Sequence, residues 1–374
     1  MAKINVRSPY YVSRTEISLT QVDMDLWIYT GEQVNDRNGQ NGTLFRLTSF
    51  AVAEVATFEI SEIIKDYIDN QFQGEYDSFN VWVDFRTNNY VSGIAQGFTS
   101  FTLLRGFYAY GYFQDGANPA LQSDYLQSNL TILKYAGESL MIPVDTECTT
   151  SVSFYNEGDL VNNQIVSSSI LSNSQIQYIT NTGSTFNNFR QRVEDDGGTF
   201  EDNICLEQFQ QEFDNFPVDT IFINGCDGVT VIKVKDIEEC KYTPYKVTFE
   251  NRFGALQDLW FFKRSNKKLT TKKETFKRNI IVNGTYNVSS HQQKVLTKNG
   301  VEKMTLNTGF YPELYNDIFK ELQLSENVWI EIENRITPVN VESSGLEYKT
   351  QLNEKLINYT VDLSFAFDTI NNIR

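Results

Sequence analysis

The sequence predicts a mainly β protein: two or three β-sandwich-like domains with a few short helices. Three observations carry this. Aromatic residues make up 14% of the chain, with 27 Phe and 20 Tyr against 7 Pro, and aromatic and β-branched side chains suit a pleated, half-buried surface. In 356–368, LINYTVDLSFAFD, every odd position from Ile357 to Phe367 is apolar and every even position from Asn358 to Asp368 is polar or small. That is the period of a strand with one dry face. In 245–262, YKVTFENRFGALQDLWFF, two strand-like runs flank a break at NRFG, with Gly254 free to take φ > 0. This hairpin is apolar on both faces, so it belongs in a core or in a subunit contact.

Three regions follow from texture: 1–145, 146–240 and 241–374. In the first, 15–29 reads as a strand burying Ile17, Leu19, Val22, Leu26 and Ile28, with a bulge where parity slips between Leu19 and Val22. A turn-rich loop over 30–43 carries two Asn-Gly pairs and returns as a strand at 44–50. A strand ending at Ile60 gives way to a short helix capped by Ser61, with Ile63, Ile64, Tyr67 and Ile68 inward. The run 80–87, NVWVDFRT, is apolar on both faces and reads as central in its sheet. Aromatics crowd 107–113, and 130–144 reads as a hairpin around Ala136-Gly137.

The middle region is Ser/Asn-rich and reads as a β module, independent or inserted. It holds an acidic glycine loop at 193–203, an amphipathic helix at 206–213 and a hairpin over 217–237 turning at NGCDG. In the last region a helix is expected over 308–325, centred on 312–323, with Pro312 in its first turn and Leu314, Ile318 and Leu322 on one face. A strand at 327–341 runs into a proline stop.

The net charge of −16 argues against free nucleic acid as a partner, because phosphate binding needs clustered cations. Cys148, Cys205, Cys226 and Cys240 have neither disulfide-scaffold nor zinc spacing and read as free buried thiols. The N-terminus lacks the apolar stretch of a secretory signal, and no 18-residue apolar run is present. A soluble chain made in the cytoplasm is expected, without a membrane span and without a cofactor.

Catalytic constellations are weak. The single histidine, His291, lies in the polar run SSHQQ, with no nucleophile elbow anywhere, so it reads as a surface residue. With 48 Asp and Glu, a carboxylate pair for glycan cleavage is always available and therefore uninformative. Asp195, Asp196, Glu201 and Asp202 could hold calcium on a bendable loop, but the EF-hand spacing is absent and a solvated loop is the simpler reading. The chain is not expected to be an enzyme.

The charge distribution is the informative feature. Lys263, Arg264, Lys267, Lys268, Lys272, Lys273, Lys277 and Arg278 stand against Glu274 alone, so 263–278 carries +7 and the rest of the chain −23. A solvated hairpin loop would explain this, as would an arm docking on an acidic surface of a neighbouring copy or another partner, with DNA contact as the remaining reading. No aromatic ladder interleaves the lysines as single-strand binding requires. The expected contact surface joins these cations to the aromatic edge Leu256, Leu259, Trp260 and Phe262. The aromatics at 107–113 are core, a subunit patch, or a sugar platform on Tyr108, Tyr110 and Tyr112.

The segments RGFYAYGYFQDGANP and LMIPV, then KYTPYKVTFENRFGALQDLWFFKRSNKK, then NEKLINYTVDLSFAFDTINNIR, resemble in style and order virion structural proteins of tailed bacteriophages, those of Bacteroidetes and marine phages above all. The resemblance spans most of the chain. It implies a subunit of the tail, baseplate or head-to-tail neck ring, present in several copies and contacting itself and other virion proteins. It supplies no catalytic residues. The alternatives are a carbohydrate-binding receptor-recognition subunit and, behind it, a glycan-degrading enzyme.

Overall fold

The chain is mainly β: among the described residues 58% lie in strands and 7% in helices. The computed structural model describes residues 2–31, 42–69, 71–76, 78–120, 124–145, 150–166, 175–181, 216–226, 228–342 and 356–370. The acidic loop with its candidate calcium ligands, the helix expected at 206–213 and most of the 30–43 loop lie outside the described residues. The chain divides into two compact units: residues 1–238 with 248–259, and residues 239–247 with 260–374.

The first unit opens with β1 (Ala2–Asn5), β2 (Tyr11–Thr15), β3 (Leu19–Tyr29), β4 (Thr43–Phe50) and β5 (Val55–Glu59). The expected bulge is present as a register shift between Leu19 and Gln21. Ile17 is exposed, not buried, because Ser18 takes φ 61° and the chain turns from Glu16 to Leu19 before the strand begins. Helix α1 (Ser61–Lys65) follows. Its cap position is Ile60 rather than Ser61, and the Glu59 carboxylate accepts from the Ser61 backbone N–H at 2.9 Å.

Next come β6 (Ser78–Phe79), β7 (Val81–Val91), β8 (Ile94–Phe98) and β9 (Thr102–Phe107). β7 is central, in the order β1-β9-β7-β3-β4 with β8 also paired to it. Its fully buried Val81 and Val83 pack in one cluster with Val22, Leu26 and Ile28 of β3 and with Phe58, Ile60 and Ile64.

β10 (Thr131–Tyr135) and β11 (Met141–Val144) occupy the expected hairpin but do not pair with each other. β12 (Thr150–Asn156), β13 (Asp159–Val166), β14 (Gln175–Thr180), β15 (Thr220–Gly225) and β16 (Gly228–Ile237) complete the picture. β10 joins β16 in parallel in the sheet β10-β16-β15-β12-β13, and β11 joins β14 in the sheet β11-β14-β6. The β10–β16 ladder therefore links residues on either side of 145. The inner faces of these sheets share a core of Ile142, Val144, Val152, Phe154, Ile179, Ile221, Ile223 and Ile232. The β15–β16 hairpin is as the sequence predicts, with Gly225 opposite Gly228. Of the four cysteines, Cys148 and Cys205 lie outside the described residues; Cys240 is free but exposed, and Cys226 is disulfide-bonded, so neither is the free buried thiol expected.

The hairpin at 245–262 forms β17 (Tyr245–Glu250) and β18 (Leu256–Phe261). Gly254 has φ 75°, and a Cβ there would lie 2.9 Å from the backbone N and C of Tyr108. Gly254→Ala combines the left-handed penalty with a clash against backbone that cannot rotate away. It is expected to destabilise the first unit by about 2–5 kcal/mol, read as a lower midpoint in urea unfolding. An unchanged midpoint would show that the approach relaxes freely.

The second unit adds β19 (Asn266–Lys277), β20 (Gln293–Pro312), α2 (Asn316–Leu324), β21 (Val328–Ile332), β22 (Arg335–Val341) and β23 (Leu356–Phe365). Within this unit the strand order is β21-β22-β23-β20-β19. β23 buries Ile357, Tyr359, Val361 and Leu363 as its alternation predicts, but it ends at Phe365, short of the expected 368, and Phe367 is exposed because it lies beyond the strand. The helix starts later than expected: β20 runs to Pro312, a 3-10 turn covers Glu313–Tyr315, and Leu314 is exposed. Ile318, Phe319 and Leu322 of α2 are buried, with the Phe319 ring stacked 3.8 Å from that of Tyr359. Pro338 is no stop. The 327–341 stretch is a β21–β22 hairpin turning on Glu333 and Asn334, both at positive φ, with Pro338 inside β22 opposite Trp329.

Candidate assembly arm

The basic run is a strand. β19 pairs antiparallel with the first half of β20, from Asn266 opposite Thr305 to Lys277 opposite Gln293, with a bulge at Glu274/Thr275. β23 pairs with β20 only from Lys303 to Pro312. The segments 269–277 and 293–302 therefore form a two-stranded ribbon that continues past the sheet. Its root is tied down: Lys263 Nζ donates to Glu239 at 2.7 Å, Asn299 Nδ2 donates to Asp368 at 3.0 Å, and Lys303 pairs with Glu342. The Lys263 hydrogen bond, seconded by the Lys241 backbone N–H, holds the Glu239 carboxyl below its ordinary range.

Almost every residue from Thr271 to Lys298 is exposed. Residues directly opposite in an antiparallel pair share a face, so Lys268 faces Lys303 and Lys273 faces Lys298. Like charges directly opposite oppose pairing, and a lone two-stranded ribbon is marginal in water. With Lys294, Lys298 and Lys303 added against Glu302, residues 263–303 carry net +9 and the rest of the chain −25.

The tip is ordered by its own hydrogen bonds. Val282 and Thr285 exchange backbone bonds of 2.8 and 3.1 Å around Asn283 and Gly284, both at positive φ, which makes a type I′ turn. Ser289 N–H donates to the Asn287 side chain at 2.8 Å, and Arg278 Nε to the His291 carbonyl at 2.9 Å. On this frame Val288 is 89% exposed, Val282 69%, Tyr286 65% and Ile281 60%. Sequence reasoning missed these four side chains. The Asn-Gly pair at 283–284, between two strand runs, was the available signal.

The predicted contact residues separate. Lys263, Arg264, Lys267, Lys268, Lys272, Lys273, Lys277 and Arg278 are all exposed, on the arm or at its root. Leu256, Leu259, Trp260 and Phe262 are buried, so the aromatic edge is core and not contact surface. Within the second unit Phe262 stacks between Trp260, at 6.4 Å, and Tyr311, at 6.2 Å, and the Tyr311 hydroxyl donates to the Trp260 carbonyl at 2.7 Å. Burial pushes the Tyr311 phenol far above its usual range, so it stays a neutral donor. Tyr108 and Tyr110 are likewise interior, which removes two of the three rings from the sugar platform.

A second exposed feature lies on the first unit, on the outer face of the five-stranded sheet. A groove of about 590 Å³ is lined by Ser153, Tyr155, Gly158, Asp219, Thr220, Phe222, Asn224 and Lys233. The Tyr155 and Phe222 rings meet edge-on at 5.2 Å. Val231 lies opposite Phe222 and Val229 opposite Asn224, on the same face and 37% and 63% exposed. Asp219 accepts from Thr220 Oγ1 and from the Glu157 N–H, both at 2.6 Å, and these bonds keep its carboxyl below the ordinary range. Among the described residues no cluster of His, Cys, Asp and Glu could hold a metal ion, and no helix is long and apolar enough to cross a membrane.

No family model and no curated protein matches the chain. Among solved structures it is similar to the calcium-binding domain CBD12 of CALX1.1, at 10% identity over 63% of this chain and 96% of that one, with a TM-score of 0.18. It is similar also to CBD12 from CALX1.2, at 9% identity over 62% and 95%, with a TM-score of 0.15. Superpositions this poor say nothing about what the chain binds.

Proposed function

We propose that this chain is a structural subunit of a tailed-phage virion, assembled in several copies in the tail, baseplate or neck ring through protein–protein contacts. The observation that carries the contact role is the basic ribbon. It is exposed on both faces, marginal alone and opposite in charge to the rest of the chain. A surface with these properties is covered in the working state. The virion itself comes from the resemblance of the segments quoted above. The work proposed is contact without chemistry, carried out after synthesis in the host cytoplasm.

The reading predicts that the chain is a stoichiometric component of particles produced by the genome that encodes it. Quantitative mass spectrometry of gradient-purified particles should find it at several copies per particle. Its presence only in the soluble lysate would overturn the assignment.

A further inference from the structure

The same polypeptide carries an exposed apolar knob and an exposed aromatic groove. The knob is the arm tip, where Ile281, Val282, Tyr286 and Val288 stand out from a turn held by its own hydrogen bonds. The groove is the outer face of the five-stranded sheet, floored by Tyr155 and Phe222 and flanked by Val229 and Val231. We propose that the arm tip of one copy docks into the sheet-face groove of a second copy, so that copies join head to tail. The inference rests on the reading of the chain as an assembly subunit and names the contact by which it assembles.

Charge selects the occupant. An arm-to-arm contact would bring +9 against +9, with Lys273 and Lys298 already side by side. The lysines along β19 also repel edge-to-edge pairing with another β19. The remainder of a second copy, at −25, attracts the arm. At the groove itself Asp219 is ionised, and Glu157 and Asp159 flank the lining residue Gly158 at the exposed β12–β13 turn. The one lining lysine, Lys233, donates to Thr220 Oγ1 at 2.8 Å, and its single positive charge is outnumbered by Asp219, Glu157 and Asp159. Apolar tip against aromatic floor and basic stem against acidic rim is a heterologous contact, which closes into a ring or extends into a stack. The preformed tip lowers the ordering cost of docking.

The test uses two full-length variants. The tip variant carries Val282→Ser, Tyr286→Ser and Val288→Ser. The groove variant carries Val229→Lys and Val231→Lys. All five positions are exposed, so circular dichroism and thermal unfolding should match the wild type. By sedimentation at low salt the wild type should assemble, and each variant alone should need at least about 100-fold more protein to do so. Mixed, the two should form one-to-one pairs and nothing larger, since only one intact tip and one intact groove remain. Variants that assemble like the wild type would overturn this contact and leave the subunit reading standing. A wild type that stays monomeric at every concentration would overturn both. Wild-type retention of duplex DNA, lost in the tip variant, would overturn the contact in favour of nucleic acid.

Discussion

Reversing Lys267, Lys268, Lys272 and Lys273 to Glu is expected to leave the chain folded and to weaken its self-association by at least about 100-fold at low salt. The four changes take the arm from +9 to +1. Folding should survive because all four side chains are exposed, where substitutions rarely cost more than about 0.5 kcal/mol. The ribbon should even gain. Glu at 268 and 273 would face Lys303 and Lys298, so two repulsive pairs become attractive. A loss of assembly in this variant therefore cannot be assigned to a melted arm. Light scattering measures the loss and circular dichroism the fold; assembly at wild-type concentrations would remove the lysines from the contact.

Asp145→Ala is expected to cost the first unit about 3–5 kcal/mol, a large fraction of the roughly 5–15 kcal/mol that holds a domain folded. Asp145 follows β11 and is fully buried, with Arg105 Nη1 of β9 at 2.7 Å and Lys3 Nζ of β1 at 2.8 Å. Arg105 is itself buried, its guanidinium 4.9 Å from the Phe107 ring centroid and 5.5 Å from that of Trp82. Removing the carboxylate leaves the buried Arg105 guanidinium without its anionic partner. Urea unfolding should show the first unit's transition at a much lower midpoint. The double change Arg105→Met with Asp145→Leu should recover much of the loss, because it removes the charge along with its partner. A midpoint shift under about 1 kcal/mol in the single variant would mean that water enters the site.

These two sites differ in how far the sequence reveals them. β23 and the 245–262 hairpin are legible because one buried face per strand writes itself as alternation, and the buried odd positions of β23 match it. Ile17, Leu314 and Pro338 mislead for local reasons: a turn at Ser18, a 3-10 turn before α2, and a proline accommodated within a strand. The strands of 130–144 are visible, but their partners β16 and β14 lie far along the chain, and nothing local encodes a long-range pairing. Arg105 and Asp145 lie forty residues apart in different strand contexts, so their pairing is likewise invisible. The arm is legible as charge and illegible as structure. Solvent on both faces of β19 leaves no alternation to read, and only the Asn-Gly turn marks the tip. The aromatic edge at 256–262 is core although its sequence suits a contact equally, because burial in a core and burial in a contact produce the same sequence pattern.

If this chain works by contact through its basic arm, the mass of the purified wild-type protein should depend on salt. A discrete multimer is expected at low salt, falling toward the monomer as salt rises and screens the arm from its acidic partner surface. A monomer at every salt and protein concentration would contradict it.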